Sequence, residues 1–431
     1  MFTKKAKGLA LAIGATALVG AAVSSGGSAS ADPKQYDAPF VLVGSDTTQD
    51  IMNAFAGFEN GVSYTPLQSD AASGQKQIVS WDATANGLTT TCITTRTGGP
   101  SFNRPNGSGS GRTALLQAYT AGGTTSVSNC GTGTTSPSGQ ISGARSSSLS
   151  GTAGTTLAYV PFARDAMSFA FYRKAGSPVT TLTEAQMKTI FTTQAGLDVD
   201  PDGAGPLAAV KIFGCDIQSG SGTGQFWRQK IQGTQTPQFT ATTVCDDYIP
   251  VGGGTPFATG APGDAQEQDG DGLVIRGDAV DAQYPGAQVI IGMSVGGYIG
   301  KANGAAKGGM PTTVGIGTIS DIAGGVSPVV DNTTPSSPVA STGQTGRPNL
   351  VGDSTFYAAG YGRDLYNVFP AAVINSPFGN DALKQIFKNT AGTGNPNNAL
   401  ICSASAAVTI KKFGFTELAT CGDSTTIIRG A

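Results

Sequence analysis

Between residues 218 and 227 the chain reads Gln218-Ser-Gly-Ser-Gly-Thr-Gly-Gln-Phe-Trp227. A strand-like run, Val210-Lys-Ile-Phe213, precedes it, and a helix-like run from Gln225 to Ile231 follows. A Gly/Ser/Thr turn between a strand and a helix leaves the first N–H groups of that helix without partners. Those N–H groups, the positive end of the helix dipole and the hydroxyls of Ser219, Ser221 and Thr223 all suit an oxyanion. The competing reading is a flexible surface turn in a chain with 63 glycines.

Two further segments repeat the pattern. Asn106-Gly-Ser-Gly-Ser-Gly-Arg112 leads into Thr113-Ala-Leu-Leu-Gln-Ala-Tyr119, where Leu115 and Tyr119 fall on one helical face. Gly44-Ser-Asp-Thr-Thr-Gln-Asp50 follows the strand-like Phe40-Val-Leu-Val43. It opens a helix with Ile51, Phe55 and Phe58 along one side, for which Thr47 is the expected cap and Asp50 the first-turn acid. Three strand–small-loop–helix units, far apart in sequence, can converge on one ligand.

The rest of the chain bounds what that ligand system is. Lys4, Lys5 and Lys7 precede an apolar run from Leu9 to Val23 and a small-x-small site, Ala29-Ser-Ala31. Residues 1–31 are therefore expected to be a secretory signal peptide. No cysteine follows that site, so no lipid anchor is expected, and no later run is long enough to span a bilayer. Removal of the leader takes the formal charge of −2 to −5, which argues against nucleic acid or an anionic membrane as partner. The six cysteines, Cys92, Cys130, Cys215, Cys245, Cys402 and Cys421, all follow the leader. Export favours disulfides, and sequence order favours three local loops, 92–130, 215–245 and 402–421, among fifteen possible pairings. Zinc is the alternative, but there is no CxxC and no histidine.

The lack of histidine also bears on catalysis. Gly292-Met-Ser-Val-Gly296 matches GxSxG, but a Ser-His-Asp triad needs a histidine to take the proton. Ser73-Gly-Gln-Lys76 matches SxxK without its usual partner motifs. Asp198-Val-Asp-Pro-Asp-Gly203 begins like a calcium loop, but its twelfth position is Ala209 rather than a bidentate Glu. No cofactor or metal is expected.

Along the remaining chain, Tyr159–Ala163 and Ala166–Tyr172 read as strand, kink, strand. Thr183 and Gln186 form a capping box for a helix to Phe191, with Met187, Ile190 and Phe191 inward. Ala287–Gly292 reads as a buried strand, residues 301–350 as long loops with a strand or two, and Phe369–Ile374 as a strand. Ser403 caps a last helix with Ala406, Ala407 and Ile410 inward, ended by Gly414. Strands and helices alternate, so the fold class is α/β.

The order of these motifs resembles the phosphate-type substrate-binding proteins of ABC uptake systems, which have the two-lobed periplasmic-binding-protein fold. Val43-Gly-Ser-Asp-Thr-Thr48 is similar to that family's first Gly-Ser-x-Thr loop, and Gly107-Ser-Gly-Ser-Gly111 to its GSGGG-like loop. Gly143-Ala-Arg-Ser146 falls where the family has Gly-Ala-Ser-Asp. Val160-Pro-Phe-Ala-Arg-Asp-Ala166 is similar to its first crossover, Leu182 to Phe191 to the helix behind it, and Ser219-Gly-Ser-Gly-Thr223 to its SGT loop. Pro285-Gly-Ala and the segment from Cys402 to Gly414 match later parts.

The resemblance implies two crossovers between lobes, one lobe from residues 32–160 plus 361–431 and the other from 161–360. It implies a small oxyanion, phosphate or a relative, held in the interlobe cleft by Thr47, Thr48, Ser110, Ser221, Gly222 and Thr223. It also implies an ABC permease as partner, and a monomer. Two departures stand out. Ser146 replaces the acid that accepts the proton of hydrogen phosphate, and Ile217 replaces an arginine. Arg112, Arg145 or Arg164 is then the candidate cation, since guanidinium pairs well with tetrahedral oxyanions. The expected function is a secreted solute-binding protein that captures rather than transforms its ligand. The alternative is a secreted structural or interaction protein that keeps the fold but has lost the ligand.

Overall fold

The computed structural model describes Asp32 and residues 38–57, 77–83, 92–119, 127–201, 207–246, 267–306, 308–331, 349–378, 381–389 and 399–430, apart from 129, 131–132 and 268. The expected signal peptide, Phe58, the SxxK match and parts of the calcium-like loop and of residues 301–350 lie outside these.

Eight strands lie in one twisted path. They are β1 Phe40–Gly44, β2 Ile78–Ser80, β3 Gly143–Ser146, β4 Ala153–Arg173, β5 Leu197–Val199, β6 Val210–Cys215, β7 Gln288–Ser294 and β8 Gly362–Pro370. Their spatial order is β5-β6-β7-β4-β8-β3-β1-β2, and two short strands, Gly315–Ile316 and Ile428–Arg429, also pair with β4. β1 runs parallel to β2 and β3, and β6 parallel to β7, whereas β4 is antiparallel to both β7 and β8. The seven helices that matter here are α1 Gln49–Ala56, α2 Ser108–Tyr119, α3 Glu184–Thr192, α4 Gly222–Gln232, α5 Gly270–Gln283, α6 Val295–Ala302 and α7 Ala404–Lys412. The chain is thus a mixed α/β protein.

Side-chain alternation along the strands explains where the cores lie. In β1, Phe40 and Leu42 join one apolar cluster while Val41 and Val43 join another, on the opposite face. Successive strand residues point to opposite faces, so a sheet covered on both sides reads as a continuous apolar run. β4 does the same and then continues. Ala158, Val160 and Phe162 serve one cluster and Leu157 and Tyr159 the second. From Ala166 to Tyr172 it feeds a third cluster, which reaches Tyr361. β4 is therefore the strand common to all three cores, and β8 shares two of them.

Several local expectations hold. Thr183 and Gln186 form a reciprocal capping box on α3. Ser403 accepts a hydrogen bond from the Ala406 N–H at the start of α7, and Gly414 beyond its end has φ 78°. Others need correction. Tyr159–Ala163 and Ala166–Tyr172 are one 21-residue strand, not two. Pro161 has no N–H to give the ladder, but it lies opposite Tyr366, where the register shifts between Leu365 and Tyr366. Phe369–Ile374 is not a strand throughout: β8 stops at Pro370 and Ala371–Ile374 is helical. Leu115 and Tyr119, placed on one helical face, differ in burial: Leu115 is buried and Tyr119 is 45% exposed.

The disulfides are Cys92–Cys130, Cys215–Cys245 and Cys402–Cys421, with Cα–Cα distances of 5.4, 5.1 and 5.8 Å. Such bonds belong to oxidising compartments. No helix among the described residues is long and apolar enough to cross a membrane. Cys215 ends β6 beside the site, and its bond closes a separation of 30 residues. Replacing Cys215 and Cys245 together by serine is expected to lower unfolding free energy by about 3–4 kcal/mol, the chain-entropy value for such a loop. Urea denaturation under non-reducing conditions measures it.

Candidate functional site

Each of the three small-residue loops ends at a helix N-terminus. The turn after β6 places Ser221 as the cap of α4, its hydroxyl accepting from the Gly224 N–H at 2.9 Å. The helix begins at Gly222, three residues earlier than its apolar pattern indicates. Gly222 packs where a Cβ would collide with the hydroxyls of Ser108 and Ser147. α2 likewise begins at Ser108, so Ser110 and Arg112 lie within a helix rather than a loop. The two loops touch through backbone: the Gly109 N–H donates to the Gly220 carbonyl at 3.0 Å. Gly107, at φ 92°, brings its Cα so near that a Cβ would lie 2.5 Å from the Gly220 oxygen.

Thr47 corrects the expectation for the first loop. The cap position of α1 is Thr48, without a side-chain cap bond. The Thr47 hydroxyl instead lies 2.8 Å from that of Thr223, joining the first loop to the third across 176 residues. Both hydroxyls contact Arg363, a residue in none of the motifs. Arg363 Nη2 donates to Thr223 Oγ1 at 2.9 Å and lies 3.5 Å from Thr47 Oγ1. Nε and Nη2 also hold Asp165 Oδ2, at 3.0 and 2.8 Å. The other Asp165 oxygen accepts from the Gly296 N–H near the start of α6, at 3.0 Å. Asp165 is fully buried and Arg363 nearly so. Arg363 Nη1 is buried with no hydrogen-bond partner among the described residues.

The centre of this arrangement holds a carboxylate. Glu267 Oε1 accepts from the Thr47 N–H at 2.8 Å and the Thr47 hydroxyl at 3.0 Å. Oε2 accepts from the Ser221 hydroxyl. The Glu267 N–H is held by Gln218 Oε1 at 2.9 Å, so main chain and side chain are both tied to the anion loops. Sequence reasoning missed Glu267 and Arg363 because neither lies in a recognisable motif. The available hint was Asp165, an acid in the middle of the apolar run of β4, which needs a cation opposite it when buried.

Thr47, Ser221 and Thr223 thus come together, with Gly222 at their edge. The Ser110 hydroxyl faces the Gly220 backbone. The Thr48 hydroxyl is buried without a partner among the described residues. Arg145, Arg112, Arg164 and Ser146 are spent elsewhere. Arg145 is fully buried and donates to the Ser45 carbonyl at 3.1 Å, the Gly44 carbonyl at 3.3 Å and the Ser80 hydroxyl at 2.6 Å. It fastens the first loop from behind, and burial lowers its pKa to about 10. Arg112 bonds Ser150 Oγ. Arg164 bonds the Tyr357 carbonyl and Asp364. Ser146 donates to the Ser148 carbonyl at 2.7 Å. Ser294 of the GxSxG match caps α6, accepting from the Gly297 N–H.

No protein-family model matches the chain and no curated protein is similar to it. Among solved structures it is similar to an ABC-type phosphate transport receptor from Vibrio cholerae, at 12% identity over 88% of this chain and 100% of that one, TM-score 0.42. It is also similar to a phosphate-binding protein from Stenotrophomonas maltophilia, at 15% identity over 89% and 91% of the two chains, TM-score 0.40. A third is PstS from Borrelia burgdorferi, at 13% identity over 88% and 98%, TM-score 0.36.

Two predictions follow from the site's charges. Removing one partner of a buried ion pair leaves the other charge uncompensated, at a cost of about 3–5 kcal/mol. Arg363→Met is expected to destabilise by that amount, and Arg363→Met with Asp165→Leu to recover most of it, as read by urea denaturation. The second concerns Asp46, whose carboxyl is raised well above its usual value, first by burial and then by the charge of Glu267. The folded chain therefore retains a proton that the unfolded chain releases. That contribution is complete below the ordinary carboxylate range and is lost as pH rises through the raised value. Asp46→Asn, which does not titrate, is expected to gain in Tm over the parent as pH goes from 4 to 8.

Proposed function

We propose that the chain is a secreted solute-binding protein that captures phosphate or a related oxyanion between two lobes, residues 32–160 plus 361–431 and residues 161–360. The observation that carries this reading is the Glu267 carboxylate, itself an oxyanion, gripped by the Thr47 N–H and by the hydroxyls of Thr47 and Ser221. Donors from two separate helix N-termini meet on one anion. That is an arrangement suited to capture. The change of apolar cluster along β4, from the two that hold residues 157–163 to a third from Ala166 onward, supports the two lobes. The role is binding without chemistry, and an ABC permease is the partner the sequence resemblance implies.

The second reading, a secreted structural or interaction protein without a ligand, is favoured by one fact. The donors are already occupied by the protein's own carboxylate.

Isothermal calorimetry with phosphate and sulfate at neutral pH separates the two. The first reading expects binding at micromolar affinity or weaker. Because Ser146 rather than an acid stands at the resemblance's proton-accepting position, it expects discrimination between the two anions of less than about ten- to thirtyfold. Ser221→Ala with Thr47→Val removes the two hydroxyls that face the anion position, each worth about 1.5–3 kcal/mol to a charged ligand, and should weaken binding at least about a hundredfold. A protein that binds neither anion supports the second reading.

A further inference from the structure

We infer that Glu267 is a resident ligand of the cradle, which an incoming anion must displace, and that the donors accept a carboxylate as readily as a tetrahedral oxyanion. This rests on the solute-binding reading above. A buried carboxylate normally sits against a cation. Glu267 is 2% exposed, yet among the described residues no lysine or arginine pairs with it. The nearest positive group in its network, Arg363, is separated from it by hydroxyls and is already matched by Asp165. All the donors to Glu267 are neutral: one backbone N–H and two hydroxyls, from loops more than 170 residues apart. It is therefore held as a free anion would be, not as half of an ion pair.

The hydrogen-bond directions agree. Each hydroxyl has one proton to give. The Thr47 hydroxyl gives its own to Glu267. Arg363 gives one to Thr223, so the proton shared between Thr223 and Thr47 comes from Thr223. The chain Arg363–Thr223–Thr47 thus ends on the carboxylate with every donor pointing toward it. The same donors serve either Glu267 or a solute, never both. A tethered group competes at an effective concentration on the millimolar scale. The apparent dissociation constant is the intrinsic one divided by the fraction of empty sites. If Glu267 fills about nine-tenths of sites, the solute binds about tenfold more weakly than the cradle allows.

The test compares the purified parent protein with Glu267→Ala and, in case that variant folds poorly, with the near-isosteric Glu267→Gln. Calorimetry with inorganic phosphate and with sulfate is expected to show both anions binding about tenfold or more tightly to the variants than to the parent. Acetate, which restores the deleted group, is expected to raise the Tm of Glu267→Ala and not that of the parent. If Glu267 instead stays in place and accepts a proton from the ligand, removing it weakens phosphate and strengthens sulfate, and that result overturns the inference. Unchanged affinity in both variants overturns it too, while leaving the solute-binding reading intact. If neither the parent nor the variants respond to phosphate, sulfate or acetate, both the inference and the reading on which it rests fall.

Discussion

The Arg363–Asp165 pair is the contact through which the sheet and the site are tied to one another. The two residues face each other across β8 and β4, and β4 runs on from the clusters it shares with β8 into the third. From there the guanidinium reaches Thr223 at the start of α4, and the carboxylate reaches the Gly296 N–H at the start of α6. Taking both charges out of water is expensive. Such a pair stabilises a fold only weakly against an apolar replacement. What it supplies is orientation. Arg363 Nη2 and Asp165 Oδ1 each reach the start of a helix, and Thr47 is brought in through Thr223. Hydrogen bonds linked in this way polarise one another in a medium of low dielectric.

Features written in a few neighbouring residues were legible in the sequence. The capping box at Thr183, the cap at Ser403 and the buried strands around Val210 and Val289 all follow from short-range rules that the cores do not override. The failures came where distant partners decide. Pro161 looks like a break, but the pairing skips one residue beside it, from Tyr366↔Pro161 to Leu365↔Ala163, and β4 runs on for 21 residues. Val373 and Ile374 have strand-like side chains, yet the backbone turns into a helix after Pro370, whose fixed φ suits a helix start.

The site divides in the same way. Thr47, Ser221, Gly222 and Thr223 could be named in advance because backbone geometry, a strand followed by a small loop and a helix, creates unpaired N–H groups wherever it occurs. Arg145 was named for its charge. Inside the fold, that charge is used on the Gly44 and Ser45 carbonyls, which the first loop leaves exposed on its inner side. Arg363 and Glu267 carry no local signature. They are selected by what lies opposite them in space, 198 residues away for Arg363 and Asp165 and 220 for Glu267 and Thr47. Ile217, at the position where the resemblance has an arginine, is fully buried, and Arg363 of β8 stands near the loop instead.

The balance of charge sets the kind of recognition this cradle can perform. Because Asp165 cancels Arg363, an anion at Thr47 and Ser221 meets little net positive charge. Its stabilisation falls to neutral donors and to the end of α4, which carries roughly half a unit of positive charge. Hydrogen bonds of this kind are each worth about 1.5–3 kcal/mol to a charged group. That sum is not available to an arriving solute, since Glu267 already draws on the same donors. Exchange of one anion for another leaves only the difference between them. A planar monoanion fixed to the chain and a tetrahedral anion free in solution differ in geometry, in hydration and in charge. Affinity is therefore decided by how those three differences add, not by the number of contacts the site can make.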